Sequence, residues 1–162
     1  LIKPVAVHHH LILGLGKPTT WPVSKENLQE LWSSLKMSKS KPDTCIFIHD
    51  SPEEIKRKIK QAFCLEGEIE FNPILDWTKF LIFRSDKSKL KVIREEKFGG
   101  NIVYDSYSAV EKDFKDKKLH PMDLKNAVAE ELIKLLEPAR KHFEQPKIKK
   151  MLEELESLII TR

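Results

Sequence analysis

At 162 residues, with 40% apolar and 33% charged side chains, the chain is long enough to bury a core and has the balance of an ordinary globular protein. A net charge of +4 permits a polyanionic partner without requiring one. No apolar run reaches the ~18 residues of a membrane span and no signal peptide is evident in these residues, and Cys45 and Cys64 have the spacing of neither a metal knuckle nor a redox pair. These features predict a cytoplasmic protein with reduced thiols. The chain begins at Leu1 inside an apolar segment, so it is read as a piece of a longer polypeptide.

Residues 4–13 read as a buried strand, and Gly14 and Gly16 punctuate the turn after it. Alternate side chains of a strand share a face, which puts His8 and His10 together and His9 opposite. With no Cys or carboxylate nearby, the three histidines do not complete a metal site, and no metal ligands are assigned. Residues 17–24 form a loop. Leu28, Leu31, Trp32 and Leu35 then mark one face of a helix over 25–35.

Next comes Lys36-Met37-Ser38-Lys39-Ser40, a polar loop with two ammonium groups three positions apart and small hydroxyls between them. Such a loop suits chemistry at a triphosphate, where departing pyrophosphate gathers negative charge. On composition alone it reads as a solvated, flexible connector.

Ser51, Pro52 and Glu54 announce a helix through an N-cap, a first-position proline and a capping box. Ile55, Ile59, Ala62 and Phe63 form its buried face, while Lys56, Arg57, Lys58 and Lys60 offer either a solvated side or a rail for phosphates. Asn72-Pro73 repeats the start signal for a helix that supplies Ile74, Leu75, Trp77, Thr78, Leu81 and Ile82 to the core. Residues 89–94 and 101–104 read as an antiparallel pair joined through Phe98-Gly99-Gly100. Ser106 caps a short helix burying Val110 and Phe114. The longest helix opens at His120-Pro121-Met122-Asp123 and runs to about Phe143, with Pro138 expected to kink or split it. Pro146 starts a last helix whose stripe of Ile148, Met151, Leu152, Leu155, Leu158 and Ile159 reads as core.

Phe98 on a glycine turn, with His120 and Asp123 one turn apart at a helix start, has the makings of a site for an unstacked base. Aromatic rings stack on it, and a carboxylate accepts from the N1 and N2 protons of guanine. Read from pattern alone, Asp123 serves the helix dipole and Phe98 packs beneath a strand.

The loop at 36–40 is identical to the second signature of class I aminoacyl-tRNA synthetases. Asp50-Ser51-Pro52-Glu53-Glu54-Ile55, Asn72-Pro73-Ile74, Lys97-Phe98-Gly99-Gly100 and the run from Leu119 to Leu132 resemble the tyrosyl-tRNA synthetases of the archaeal and eukaryotic type. The likeness spans nearly the whole chain. It implies a mostly α fold: residues 1–50 as the remnant of a Rossmann-type α/β nucleotide-binding domain with the signature loop, and 51–162 as a helical anticodon-binding domain with a small β-hairpin. The segment 17–35 is then an insertion, and roughly the first half of such an enzyme lies outside the sequence.

The activity implied is tyrosine-tRNA ligation, with tyrosine, ATP accompanied by Mg2+, and tRNA(Tyr) as substrates, and with a homodimer formed through the upstream half. This portion by itself is expected to be inactive. The resemblance assigns Lys36 and Lys39 to the leaving pyrophosphate, with Met37, Ser38 and Ser40 shaping the ATP loop and His8 or His10 lining the nucleotide cleft. It assigns Phe98, His120 and Asp123 to the first anticodon base, and Lys125 and Asn126 to the RNA backbone. The rival readings are a non-catalytic tRNA-binding module or split subunit, and a tryptophanyl-tRNA synthetase.

Overall fold

The computed structural model describes residues 5–19, 31, 35–38 and 40–158. Five α-helices and one two-stranded sheet organise them: α1 (Pro52–Gln61), α2 (Pro73–Trp77), β1 (Leu90–Val92), β2 (Ile102–Tyr104), α3 (Tyr107–Lys115), α4 (Pro121–Phe143) and α5 (Pro146–Ser157). The fold is mostly helical with a small antiparallel hairpin, in register Leu90↔Tyr104, Lys91↔Val103 and Val92↔Ile102. No helix among the described residues is long and apolar enough to cross a membrane.

Four of the five helices begin with proline, whose missing N–H falls where a helix has no use for one. Ser51 accepts from Glu54 N at 3.2 Å. The expected capping box is only half made, because the Glu54 carboxylate turns to Arg57 instead of returning to the cap. α2 passes directly into a π-helical turn, Thr78–Ile82, which Phe83 N closes on Thr78 O at 3.0 Å.

The core gathers Ile55 and Ile59 of α1, Ile74, Leu75 and Trp77 of α2, Leu90 and Val92 of β1, Val110 and Phe114 of α3, and Leu124, Val128 and Leu132 of α4. Leu15, from the segment before the signature loop, belongs to the same cluster. A smaller cluster joins Leu13 to Leu31 and Leu35, the two described positions of the helix predicted over 25–35. The rest of that helix, with Leu28 and Trp32, lies outside the described residues.

Two expectations are corrected, and of the two outcomes expected at Pro138 one is excluded. Residues 5–12 form no strand: Val5 is 92% exposed, and Leu13 alone makes an isolated bridge, to Lys36. An extended segment needs a neighbour to take its backbone groups, and the described residues supply one only at Leu13. Pro138 does not split α4, which continues to Phe143. The α5 stripe is not core: the helix buries no residue, and Leu155 is 61% exposed. Its periodicity makes an apolar face, but no described element covers it.

Candidate functional site

Two cavities collect half of the ten candidate site residues singled out by sequence. The first lies at the signature loop and is lined by Gly14, Gly16, Lys17, Thr19, Leu35, Lys36, Ser38, Lys41 and Thr44, with a volume of about 220 Å3. Its shape comes from backbone contacts. Gly14 N donates to Leu35 O, Leu15 N to Thr44 O at 2.9 Å, and Lys41 N to Ser38 O at 3.0 Å. Gly14 is required here, because a Cβ would stand 3.0 Å from Leu35 O. The Ser38 and Ser40 hydroxyls bond each other at 2.8 Å, and Thr44 Oγ1 donates to Lys41 O at 2.7 Å, which tightens the loop's far side.

Lys17, Lys36 and Lys41 converge on this cavity, and none of the three is paired with a described carboxylate. Three ammonium groups around a floor of glycine backbone suit a polyphosphate. The volume falls short of the roughly 300–1,000 Å3 of a typical small-molecule pocket. Met37 is exposed beside it. Lys39 lies outside the described residues. Lys17 was missed by the sequence reading, although its place directly after the Gly14–Gly16 turn is the signal that would have found it.

The histidines stand apart from this cavity. His10 Nε2 meets Asp76 Oδ1 at 2.7 Å and its ring stacks on Phe80 with centroids 3.8 Å apart, so it is committed to the helical part of the molecule. His8 is exposed and is not part of the cavity lining. Without a strand, the alternation that paired the two is lost.

The second cavity, about 300 Å3, is lined by Glu66, Arg94, Phe98, Lys117, Lys118, His120 and Asp123. All three residues of the base-reading hypothesis therefore share one hollow. Phe98 ends a 3-10 turn and is 60% exposed. Gly99 and Gly100 follow it at φ +94° and +70°, backbone that a side chain resists. His120 is the N-cap of α4, its Nδ1 accepting from Met122 N at 3.1 Å. With Nδ1 occupied as an acceptor, Nε2 is the ring nitrogen left to meet a ligand. Asp123 sits in the first turn of α4, where the free N–H groups favour a negative charge.

Three of the four basic residues of α1, Lys56, Arg57 and Lys58, have acidic partners. Lys58 is 3% exposed and donates to Asp50 at 2.6 Å, Arg57 pairs with Glu54 and Asp43, and Lys56 pairs with Glu130 at 2.8 Å. Hydrogen bonds from Arg57 hold the Glu54 carboxyl below its usual range. Lys125 is also withdrawn from solvent. Its Nζ donates to Lys60 O at 2.9 Å at the end of α1, and burial lowers its pKa. It closes a helix C-terminus, and with Asn126, Lys56 and Lys60 it lines a hollow apart from the two above.

Compared with known proteins, the family model for class I tRNA synthetases (W and Y) matches residues 16–137. The tyrosine-tRNA ligase of Pyrococcus horikoshii is 52% identical over 162 residues, which are 99% of this chain and 43% of that protein. The crystal structure of P. horikoshii tyrosyl-tRNA synthetase complexed with L-tyrosine superposes with a TM-score of 0.90 at 51% identity, covering 97% of this chain and 42% of that one. The Aeropyrum pernix tyrosyl-tRNA synthetase structure gives 0.76 at 36% identity, covering 96% and 40%. The chain thus spans less than half the length of these relatives.

Proposed function

We propose, from the premise that this chain belongs to the class I tRNA synthetases (W and Y), that it is the portion of a cytoplasmic tyrosine-tRNA ligase that holds pyrophosphate and reads the anticodon. In this reading residues 1–50 are the closing part of a Rossmann-type nucleotide-binding domain, and residues 51–162 are the anticodon-binding domain. Tyrosine reacts with ATP to give tyrosyl-adenylate and pyrophosphate, and the tyrosyl group then passes to tRNA(Tyr). The upstream part of such an enzyme supplies the tyrosine pocket and the contact for a homodimer. The observation that carries the reading is that one chain joins a lysine-lined phosphate hollow to a second hollow shared by Phe98, His120 and Asp123.

No side chain acts as nucleophile. Lys36 and Lys39, assisted by Lys17 and Lys41, draw the leaving oxygens away from the α-phosphate. One ammonium at ~4 Å contributes up to about 4 kcal/mol at an effective dielectric near 20. The gain raises the rate to the extent that the contact forms in the transition state. Among the described residues no carboxylate lines this cavity, so those residues do not fit Mg2+ as ligands. In the second cavity a guanine stacks on Phe98 and donates its N1 and N2 protons to Asp123.

Two substitutions in the ligase that contains this chain separate the two halves of the reading. Lys39→Ala lowers ATP–pyrophosphate exchange by about 10²-fold or more and leaves tRNA binding unchanged. Asp123→Asn leaves exchange unchanged and weakens preference for a guanine at the first anticodon position. Equal loss of exchange and binding in Lys39→Ala refutes the role of the loop.

A further inference from the structure

Arg94 stands between the two loops that frame the second cavity, and its guanidinium is bonded to carbonyls alone. Nε donates to Gly100 O at 2.7 Å, on the turn that carries Phe98, and Nη1 donates to Lys118 O at 3.1 Å, on the loop that leads to His120. Its backbone N–H donates to Asn101 Oδ1 at 3.1 Å. A Cβ built on Gly99 would lie 3.1 Å from Nη2, so the glycine turn is drawn against the edge of the guanidinium.

Both loops are irregular. Gly99, Gly100 and Lys117 all have positive φ, and no ladder of sheet hydrogen bonds sets the gap between them. A planar fork with donors in fixed directions supplies that missing constraint.

We propose that Arg94 is a positioning residue of this cavity: its clasp on Gly100 O and Lys118 O sets the separation of Phe98 from the α4 terminus, and so the selectivity for guanine over a pyrimidine. The inference rests on the reading of the cavity as a base-binding site. Stacking on Phe98 tolerates small shifts because every base offers a face. A hydrogen bond to Asp123 does not, since a displacement of ~1 Å carries it from about 2.9 Å past the limit of useful geometry. A loosened clasp therefore costs discrimination before it costs affinity. Lysine at this position keeps the charge but ends in a point-like head that cannot hold two carbonyls in one rigid frame.

The test measures binding of the full chain to synthetic anticodon stem-loops that differ only by guanine or cytosine at the first anticodon position, together with the melting temperature of each variant. Arg94→Lys is expected to cut the guanine-to-cytosine affinity ratio by about tenfold, while binding of the cytosine hairpin stays within about twofold. Gly99→Ala, which leaves the charge of Arg94 in place and sets a methyl against Nη2, is expected to do the same, and it covers the case of an Arg94 variant that does not fold. An unchanged ratio in both variants, with the ratio lost in Asp123→Asn, overturns the clasp and leaves the base-binding reading standing. An unchanged ratio in Asp123→Asn overturns that reading itself. Equal loss on both hairpins at an unchanged melting temperature makes Arg94 a phosphate contact and also overturns the proposal.

Discussion

The Tyr104 hydroxyl donates to Asp113 Oδ2 at 3.0 Å from a buried ring. Burial first, and the neighbouring carboxylate second, push the phenol up to about 12. In the unfolded chain it ionises near its ordinary value of about 10. Between those values the native state holds the extra proton, so this contribution is intact below about pH 10 and is lost as pH rises through about 12. Tyr104→Phe is expected to flatten part of that alkaline loss, read as a smaller difference between urea midpoints at about pH 9 and about pH 11.

At this scale the sequence was legible where a residue has a fixed local job. Pro52 and Ser51, or Asn72 and Pro73, declare a helix start by themselves. It was illegible where the partner is distant. Lys58 and Lys125 look like surface charges on helical wheels. Each is withdrawn by a group in another element, Asp50 for the first and Lys60 O for the second.

The short α2 shows how an element survives on its caps. With five residues before the π turn, nearly all of its end groups need partners outside the helix. Asn72, itself buried, supplies them: its side chain accepts from Ile74 N at 3.1 Å and Leu75 N at 3.3 Å, and donates to Glu68 O at 2.9 Å. Asn72→Ala is expected to cost about 2 kcal/mol, combining a lost cap with a stranded carbonyl, and urea denaturation measures it. Asn72→Asp keeps the cap without the donor and falls between. Helix positions and the hairpin were readable from punctuation and period. The extended segment before Leu13 and the apolar stripe of α5 were not, because burial of such faces depends on an element opposite them, which periodicity does not encode.

Across the whole molecule, the signature loop and the helical part meet at Leu13. Asp76 Oδ2 accepts from Leu13 N at 3.0 Å, Trp77 Nε1 donates to Leu13 O at 2.6 Å, and Leu13 bridges Lys36 on its other side. α2 thereby grips the backbone neighbour of the first signature lysine. Asp76→Ala is expected to leave the α1–α4 packing intact while amide exchange in residues 11–16 and 35–38 quickens about tenfold or more, read by mass spectrometry after deuteration. Of the seven residues that line the second hollow, Phe98, His120 and Asp123 were legible, because they sit at marked turns and helix starts, whereas Glu66, Arg94, Lys117 and Lys118 were not. The clasp of Arg94 was not, since its partners are carbonyls and any residue can supply one.

The paired cations of α1 have a consequence for the molecule as a polyelectrolyte. Lys56, Arg57 and Lys58 already carry built-in counter-charges from Glu130, Glu54, Asp43 and Asp50, so an approaching nucleic acid sheds few condensed ions on their account. Among the described residues the lysines around the first hollow, Lys17, Lys36 and Lys41, have no such partner, so a phosphate chain meets them with their charge uncompensated.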